Sequence, residues 1–367
     1  MAKTVEQILH HKNIMGVIEA IKGGVPSDII PARMLQPTKR IMGAKGTYTK
    51  VTSTRKVARS VMYGAPSTLR TTEGIAEMSV NLIHSFEHFN HDPNLIPLLL
   101  SLNGGEQRLG TELVANKAAN FIQLFTNLRL AAWYSALSKG FIYFDTNGNM
   151  LVNETGAVNQ IDFAIPAGNR NQLDVAGNGA IITATWATAG TDITVQMNAL
   201  NKQSAAFTGY MPKTCYYGAN VPGYLARNTT MLEYLKLNPG SNEAVRNGGI
   251  PNGFLEKTWV NASHAFYQDD SGNTQFFWGD DTVVFTPDVS DLGWWGMLEG
   301  SYAIPTNVGQ LPADASAAFK SLLSVFGLFG YAKVTDDPVT VRQYAGDTML
   351  PFIAVPNAVF IAEVAGF

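Results

Sequence analysis

The sequence predicts an α+β fold built around one unusually long helix. Three features predict it: an apolar helical stripe over residues 104–140, a Thr- and Val-rich polar hairpin before it, and strand signals recurring after it. The chain has 367 residues, which allows one large domain or two to three smaller ones. Its 46% hydrophobic content is enough to bury a core.

The elements follow in order. Residues 1–45 read as an extended arm, with a short amphipathic helix over Val5–Ile21 ended by Gly23-Gly24. Pro26, Pro31 and Pro37 then favour extended backbone. Residues 46–90 read as a long hairpin. Thr47–Val61 has high β-propensity, Gly64-Ala65-Pro66-Ser67 is the tip, and Met78–Phe89 returns as the second strand. An isolated two-stranded ribbon is marginal in water, so this hairpin must pack on something else.

Over 104–140, Leu109, Leu113, Phe121, Phe125, Leu128, Ala132 and Ala136 follow three- and four-residue steps. Asn103 caps the start, Glu106 and Glu112 lie in the early turns, and Lys139-Gly140 closes it. Such a helix spans about 50 Å and forms a spine. Residues 141–200 are β-rich: Phe141–Phe144 runs into an Asn147-Gly148 turn, and Ile161–Ile165 and Ala180–Trp186 are further strands.

Residues 201–345 mix helices and strands. Asn228 caps a helix through Leu237. Trp259–Ala262 and Gln275–Trp278 are strands around the turn at Asp269–Asn273, Thr282–Thr286 is a strand, and Ala313–Phe326 is a helix. Residues 346–367 end in an apolar strand, Pro356–Val364.

Composition narrows the function classes. Charged residues make up 15%, against about 25% on average, which suits a surface covered by partners. The net charge of −3 does not describe a basic nucleic-acid binder. It is unevenly placed: residues 1–60 hold eleven Lys/Arg against three acids, +8, so the remainder carries −11. A basic first sixth on an acidic body suggests an arm reaching for an acidic target, nucleic acid or a neighbouring copy, with a solvated charged face as the alternative. The single cysteine, Cys215, excludes an internal disulfide and a cysteine-built zinc site. No signal peptide is expected, and no apolar run is long enough to span a membrane.

Catalytic patterns are weak. His84, His88 and His91 would share a helical face as metal ligands do, but on a strand His84 and His91 would point to opposite faces. Cys215 has no nearby histidine to serve as base and reads as buried structural cysteine. No phosphate loop and no Gly-x-Ser-x-Gly occurs. Asp269-Asp270 and Asp280-Asp281 read as turn chemistry before a calcium site. Trp294-Trp295 reads as core or subunit contact before a ligand platform. No metal and no cofactor is expected, and the chain looks built for assembly.

The order of arm, hairpin, spine helix, β-rich stretch, mixed domain and final strand resembles the tailed-phage major capsid proteins of the Hong-Kong-97-type fold. It looks most like the lambda-type branch, the phage major capsid protein E family. Short motifs carry the resemblance: Ala65-Pro66, Arg70 and Glu73-Gly74 leading to Asp92-Pro93; Ala136–Gly140; Ile161-Asp162-Phe163; Trp186 with Thr191-Asp192-Ile193; Gly279–Pro287; and Tyr331-Ala332-Lys333, Asp337-Pro338, Leu350-Pro351 and Pro356-Asn357-Ala358. They cover most of residues 50–365, and their order and spacing are the signal. Ser301–Phe326 departs from the pattern.

The resemblance implies an arm at 1–45, an extended hairpin or E-loop at 46–90, and a peripheral (P) domain at 91–200. It further implies an axial (A) domain at 201–345 and a returning strand at 346–367. It implies a non-enzymatic major capsid protein that forms hexamers and pentamers of an icosahedral head around packaged double-stranded DNA, assembled in the host cytoplasm and resident in the virion. Its partners would be itself, a portal, a separate scaffolding protein and a decoration protein; the arm is too short for a fused scaffold of about 100 residues. Lys45, Lys50, Arg55, Lys56, Arg59, Tyr63, Arg70, Trp294 and Trp295 are the candidate intersubunit contacts. An encapsulin-like compartment shell and a carbohydrate- or ligand-binding module remain as alternatives.

Overall fold

The computed structural model describes residues 29–51, 75–101, 103–236, 249–251, 253–269, 272–305, 322–336 and 339–366. The expected arm helix at Val5–Ile21 and the hairpin tip lie outside these residues.

The long helix is present. A short helix α1 (Leu95–Leu100) leads into α2 (Gly104–Lys139), 36 residues long. The Asn103 side chain accepts from the Gly105 N–H at 3.0 Å. Gly140 stops the helix in the left-handed region, at φ 76, where a side chain would be strained. The stripe that faces inward differs from the expected one. Val114, Ala118, Phe121, Ile122 and Phe125 are buried, whereas Leu109 and Leu113 are exposed. From Leu130 to Ser138 every residue is buried, because the last turns are surrounded on all sides.

Strand β17 (Val339–Ile353), on which the helix packs, belongs to a six-stranded sheet. Its strands are β1 (Lys39–Ile41), β4 (Ile83–Asn90), β14 (Trp295–Pro305), β15 (Leu322–Phe326), β16 (Phe329–Asp336) and β17 (Val339–Ile353). The 15-residue β17 organises it. It pairs antiparallel with β16 over Val339–Gly346, with β4 over Arg342–Met349 and with β14 over Met349–Ile353. Strand β1 adds parallel to β14, and β15 folds back on it. Two neighbouring strands, β2 (Lys45–Val51) and β3 (Ile75–Asn81), pair antiparallel from Lys45↔Asn81 to Val51↔Ile75.

A second layer is a five-stranded sheet in the order β10 (Thr258–Asn261), β9 (Thr214–Tyr217), β13 (Thr282–Thr286), β18 (Phe360–Glu363) and β8 (Arg170–Asn171). Helices α3 (Ile193–Thr208), α4 (Val221–Arg227) and α5 (Thr229–Lys236) accompany it. Its core holds Trp186, Met197, Leu200, Cys215, Phe285 and Phe360. Asn228 caps α5 as expected, its Oδ1 accepting from the Met231 N–H. Two smaller sheets complete the strands: β5 (Phe141–Phe144) with β6 (Met150–Leu151) and β7 (Asn159–Asp162), and the hairpin β11 (Phe266–Gln268) with β12 (Thr274–Phe276).

Several expectations need correcting. The hairpin expected over 46–90 ends at Asn81; Leu82 donates its N–H to Ala44 O, and residues 83–90 join β17 instead. That second segment buries Ile83 and half-buries Phe89 on one face, where Phe89 meets Phe121 of α2, while stacking Phe86 on Tyr344 on the other. Residues 180–186 form no strand. Ile181 and Ile182 are consecutive and both buried, and their N–H groups turn back to Gln172 O. Residues 322–326, expected as helix, are a strand, because Leu322–Phe326 pairs with Ser301–Pro305. The C-terminal strand is shorter than expected, since a 3₁₀ turn occupies Pro356–Ala358.

Strands β14, β16 and β17 share the six-stranded sheet with β4, while α3 packs into the core of the five-stranded sheet that β8 joins.

Candidate functional site

A buried charged cluster clamps the long helix to the sheet. Arg129 sits on α2 and reaches three other parts of the chain. Its Nε and Nη2 donate to the two oxygens of Asp347 on β17 at 2.6 and 2.8 Å. Nη2 also donates to Glu299 Oε1 on β14 at 2.9 Å, and Nη1 to Leu35 O at 2.9 Å. All three charged residues are buried. Burial pulls the guanidinium pKa down, but Asp347 and then Glu299, by charge and hydrogen bond, push it well above its usual value. Arg40, mostly exposed, approaches the second Glu299 oxygen at 3.7 Å. One turn along, Trp133 Nε1 donates to Met34 O at 2.9 Å. The helix, two strands and the segment before β1 are thus fixed at one point.

The base of the β2–β3 hairpin is fixed as firmly. Val51 N–H donates to Ala354 O at 2.8 Å, and Tyr48 packs on Phe352 with ring centres 4.9 Å apart. The close approach depends on Gly300. A Cβ there would lie 2.6 Å from Gly43 O, Leu82 Cδ1 and Thr348 Cγ2. Lys45 is exposed and Lys50 half-buried on this base. The other expected hairpin contacts, Arg55, Lys56, Arg59, Tyr63 and Arg70, lie outside the described residues.

One face of the six-stranded sheet carries an aromatic ladder. Tyr302 stacks on Phe329 at 4.6 Å, Tyr331 on Tyr344 at 4.9 Å and Phe86 on Tyr344 at 5.7 Å. Gly346, opposite Phe86 on β17, leaves space for Phe86 and Phe329 to meet across the strand at 6.0 Å. Phe86 stays 40% exposed, so the ladder reaches the surface. Burial, then the neighbouring Tyr302 and Tyr344, push the Tyr331 hydroxyl up to about 12.

On the α2 side of the sheet lies a groove of about 890 Å³. Leu124, Phe125, Leu128 and Met150 supply apolar lining, and Glu87, Asp145 and Asp269 supply charge. Desolvation acts upward on the Asp145 carboxyl. Hydrogen bonds from Asn149, Asn147 and Gly148 outweigh it and hold the pKa below the usual range.

The residues that suggested chemistry fall elsewhere. His84 and His88 are on β4 and join the ladder, while His91 lies just beyond it. His84 Nδ1 pairs with Thr348 Oγ1 at 2.8 Å, and His91 Nε2 with Gln343 Oε1 at 2.9 Å. Among the described residues no group of three His, Cys, Asp or Glu could hold a metal ion. Cys215 is buried on β9, and burial pushes its thiol pKa up, the opposite of an activated nucleophile. Trp294 and Trp295, expected as intersubunit contacts, are core instead. They are 0% and 1% exposed, and their indoles donate inward to Asp288 O and Val289 O.

Sequence reasoning missed Arg129, Glu299 and Asp347. Their one signal was an arginine set inside the Leu128–Trp133 apolar run. It also missed Lys257, which is 2% exposed and donates to Asn201 Oδ1 and Pro212 O, both at 2.8 Å.

No family model and no curated protein matches the chain. Solved structures do. The chain is similar to a putative capsid protein of a prophage of E. coli CFT073, with a TM-score of 0.57 and 13% identity, over 97% of this chain and 99% of that one. It is also similar to a phage-related protein from Bordetella bronchiseptica RB50, with a TM-score of 0.51 and 12% identity, over 96% and 97% of the two chains. The fold of this chain is therefore the α+β, Hong-Kong-97-like capsid fold that the resemblance implied.

Proposed function

We propose that the chain is a major capsid protein that assembles with copies of itself into the hexamers and pentamers of an icosahedral phage head. The observation that carries this reading is the whole-length likeness to a prophage capsid protein, with no large part of either chain left over. The physical features agree with it. The chain exposes apolar side chains at Phe86, Leu109, Leu113 and Leu124, and burying such surface between copies is what obligate interfaces do. In this reading the β2–β3 hairpin lies over a neighbouring subunit, and a closed ring leaves no free ribbon edge.

The role is structural and involves no catalysis. A portal, a separate scaffolding protein and a decoration protein are the further partners proposed, and packaged double-stranded DNA is a non-specific content. The body outside residues 1–60 carries −11, which suits a shell that must not trap DNA. No helix among the described residues is long and apolar enough to cross a membrane. The test is negative-stain microscopy with size-exclusion chromatography on the purified chain, with and without a candidate scaffold. Rings, shells or tubes are expected. A monodisperse monomer under both conditions refutes the proposal.

A further inference from the structure

The two faces of the six-stranded sheet meet different surroundings. On one, Phe89 of β4 turns toward α2 and meets Phe121, with ring centres 4.4 Å apart. On the other lies the aromatic ladder, where His84, Phe86 and His88 are exposed and Tyr302, Tyr331 and Tyr344 half-buried. An antiparallel face turned to water is ordinarily polar; this one is aromatic. The strand registers set Lys333 opposite Arg342 at one end of it. Among its described residues there is no Asp or Glu, because Glu87 and Asp347 lie one position out of step, on the α2 side. A Tyr-rich face without carboxylates has the composition of an interface centre, and its stacked rings need little ordering on contact. Across β4, β17 and β16 it is roughly 10 Å wide between the outer strands, and about 20 Å long from Thr348 to Arg342. That is room for one hairpin.

The same chain carries a hairpin of matching character. Strands β11 and β12 pair Phe266 with Phe276. Their rings are 5.9 Å apart and 47% and 55% exposed. Exposure alternates along both strands, so Phe266, Gln268, Thr274 and Phe276 share one outward face. The other face is held, since Tyr267 packs on Phe277 at 5.4 Å and donates its hydroxyl to Met150 O. The hairpin lies in an acidic stretch: from Thr258 to Leu298 the chain holds six aspartates and no Lys or Arg. Asp280, four residues past Phe276, is exposed.

We infer that the aromatic face of one copy receives the Phe266–Phe276 hairpin of a second copy, with Arg342 and Lys333 turned to that copy's acidic stretch. The inference rests on the shell-forming reading and adds one contact to it. Each copy carries one face and one hairpin, so the contact is head to tail. Aromatic packing between the two sheets supplies the burial, and the unlike charges set its direction. The patch is smaller than the about 800 Å² per partner of a standard interface, so the contact is weak alone and acts together with others in a shell.

The test exploits the single cysteine. Cys215 is buried, so a cysteine introduced at the surface reports its own surroundings. Full-length chains carrying His88→Cys and Thr274→Cys, both at exposed positions that leave the aromatic rings in place, are mixed, assembled and treated with a short bis-maleimide. A mixed product of twice the chain mass is expected, and neither variant alone gives it. Adding Phe86→Asp to the first chain, or Phe276→Asp to the second, lowers the yield about tenfold or more, and Arg342→Glu with Lys333→Glu lowers it as well.

Shells that form without the mixed product overturn the inference and leave the capsid reading intact. Equal product from the His88→Cys chain alone also overturns it, because the face then meets its own like. Chains that link in concentrated solution yet never build shells uphold the contact and refute the capsid reading. Chains that do neither refute both.

Discussion

Replacing Arg129 by Met tests what holds the long helix in place. The change keeps most of the side-chain volume and removes the charge. Asp347 and Glu299, both buried, are then left facing each other without their shared cation. Breaking a buried ion pair from one side costs about 3–5 kcal/mol. The Leu35 carbonyl loses its donor as well, an unmet acceptor worth about 1–3 kcal/mol when fully desolvated. The two terms overlap, so about 4–5 kcal/mol is expected in total. Against a typical stability of roughly 5–15 kcal/mol that is a large share.

The assay is urea unfolding of the unassembled chain, followed by tryptophan fluorescence; Trp133 lies one turn away and is fully buried. With a slope near 3 kcal/mol/M, the midpoint falls by about 1–2 M. The companion variant, Arg129→Met with Glu299→Leu and Asp347→Leu, removes the whole buried cluster. It recovers most of the loss, because apolar replacement of a buried ion cluster is often neutral or stabilising by about 1–4 kcal/mol. A midpoint change of under about 0.3 M in the single variant would refute the reasoning. So would a triple variant no more stable than the single one.

Three other outcomes are expected. Burial lowers the pKa of His84 and of His91, outweighing Asp347 near the first and Gln343 near the second. The unfolded chain then binds more protons near the ordinary value of 6.5, so stability is full above it and declines as pH falls below it. Urea midpoints between pH 7.5 and 5.5 check this, and His84→Asn with His91→Asn should flatten that part of the profile. Gly300→Ala should cost about 1–3 kcal/mol by overpacking and speed hydrogen exchange at the Leu82 N–H, which bonds Ala44 O; unchanged exchange there would mean the hairpin base does not depend on that close approach. Cys215, with its thiol buried and its pKa raised, should resist thiol reagents in the native chain and react fully in denaturant. Labelling at comparable rates in both states would place it at the surface.

Local signals are legible where one short stretch carries all the information. The Asn103 cap and the Gly140 stop fix α2 to within a residue of the expected range. Asn147-Gly148 fixed the β5–β6 turn, and Asn228 fixed the start of α5. A comparable signal is present at α3, where Asp192 caps the first turn and Gly209 closes the last in the left-handed region. The failures share another cause. Residues 83–90 and 322–326 have no period that separates hairpin from sheet or helix from strand, and their partners lie far away in the sequence.

The sequence by itself determined the class of fold, its long helix and the separation of a cationic segment from an acidic body. These depend on periodicity, capping and charge, which are properties of neighbours along the chain. The tertiary structure alone decided which face of the helix is buried and that Trp294 and Trp295 are core. It alone brought Arg129 to Glu299 and Asp347, 170 and 218 residues away. It alone set Glu87, Asp145 and Asp269 around one groove. The physical reason is that burial and charge pairing are set by which segments meet, and strand pairing joins segments that carry no local mark of their partner.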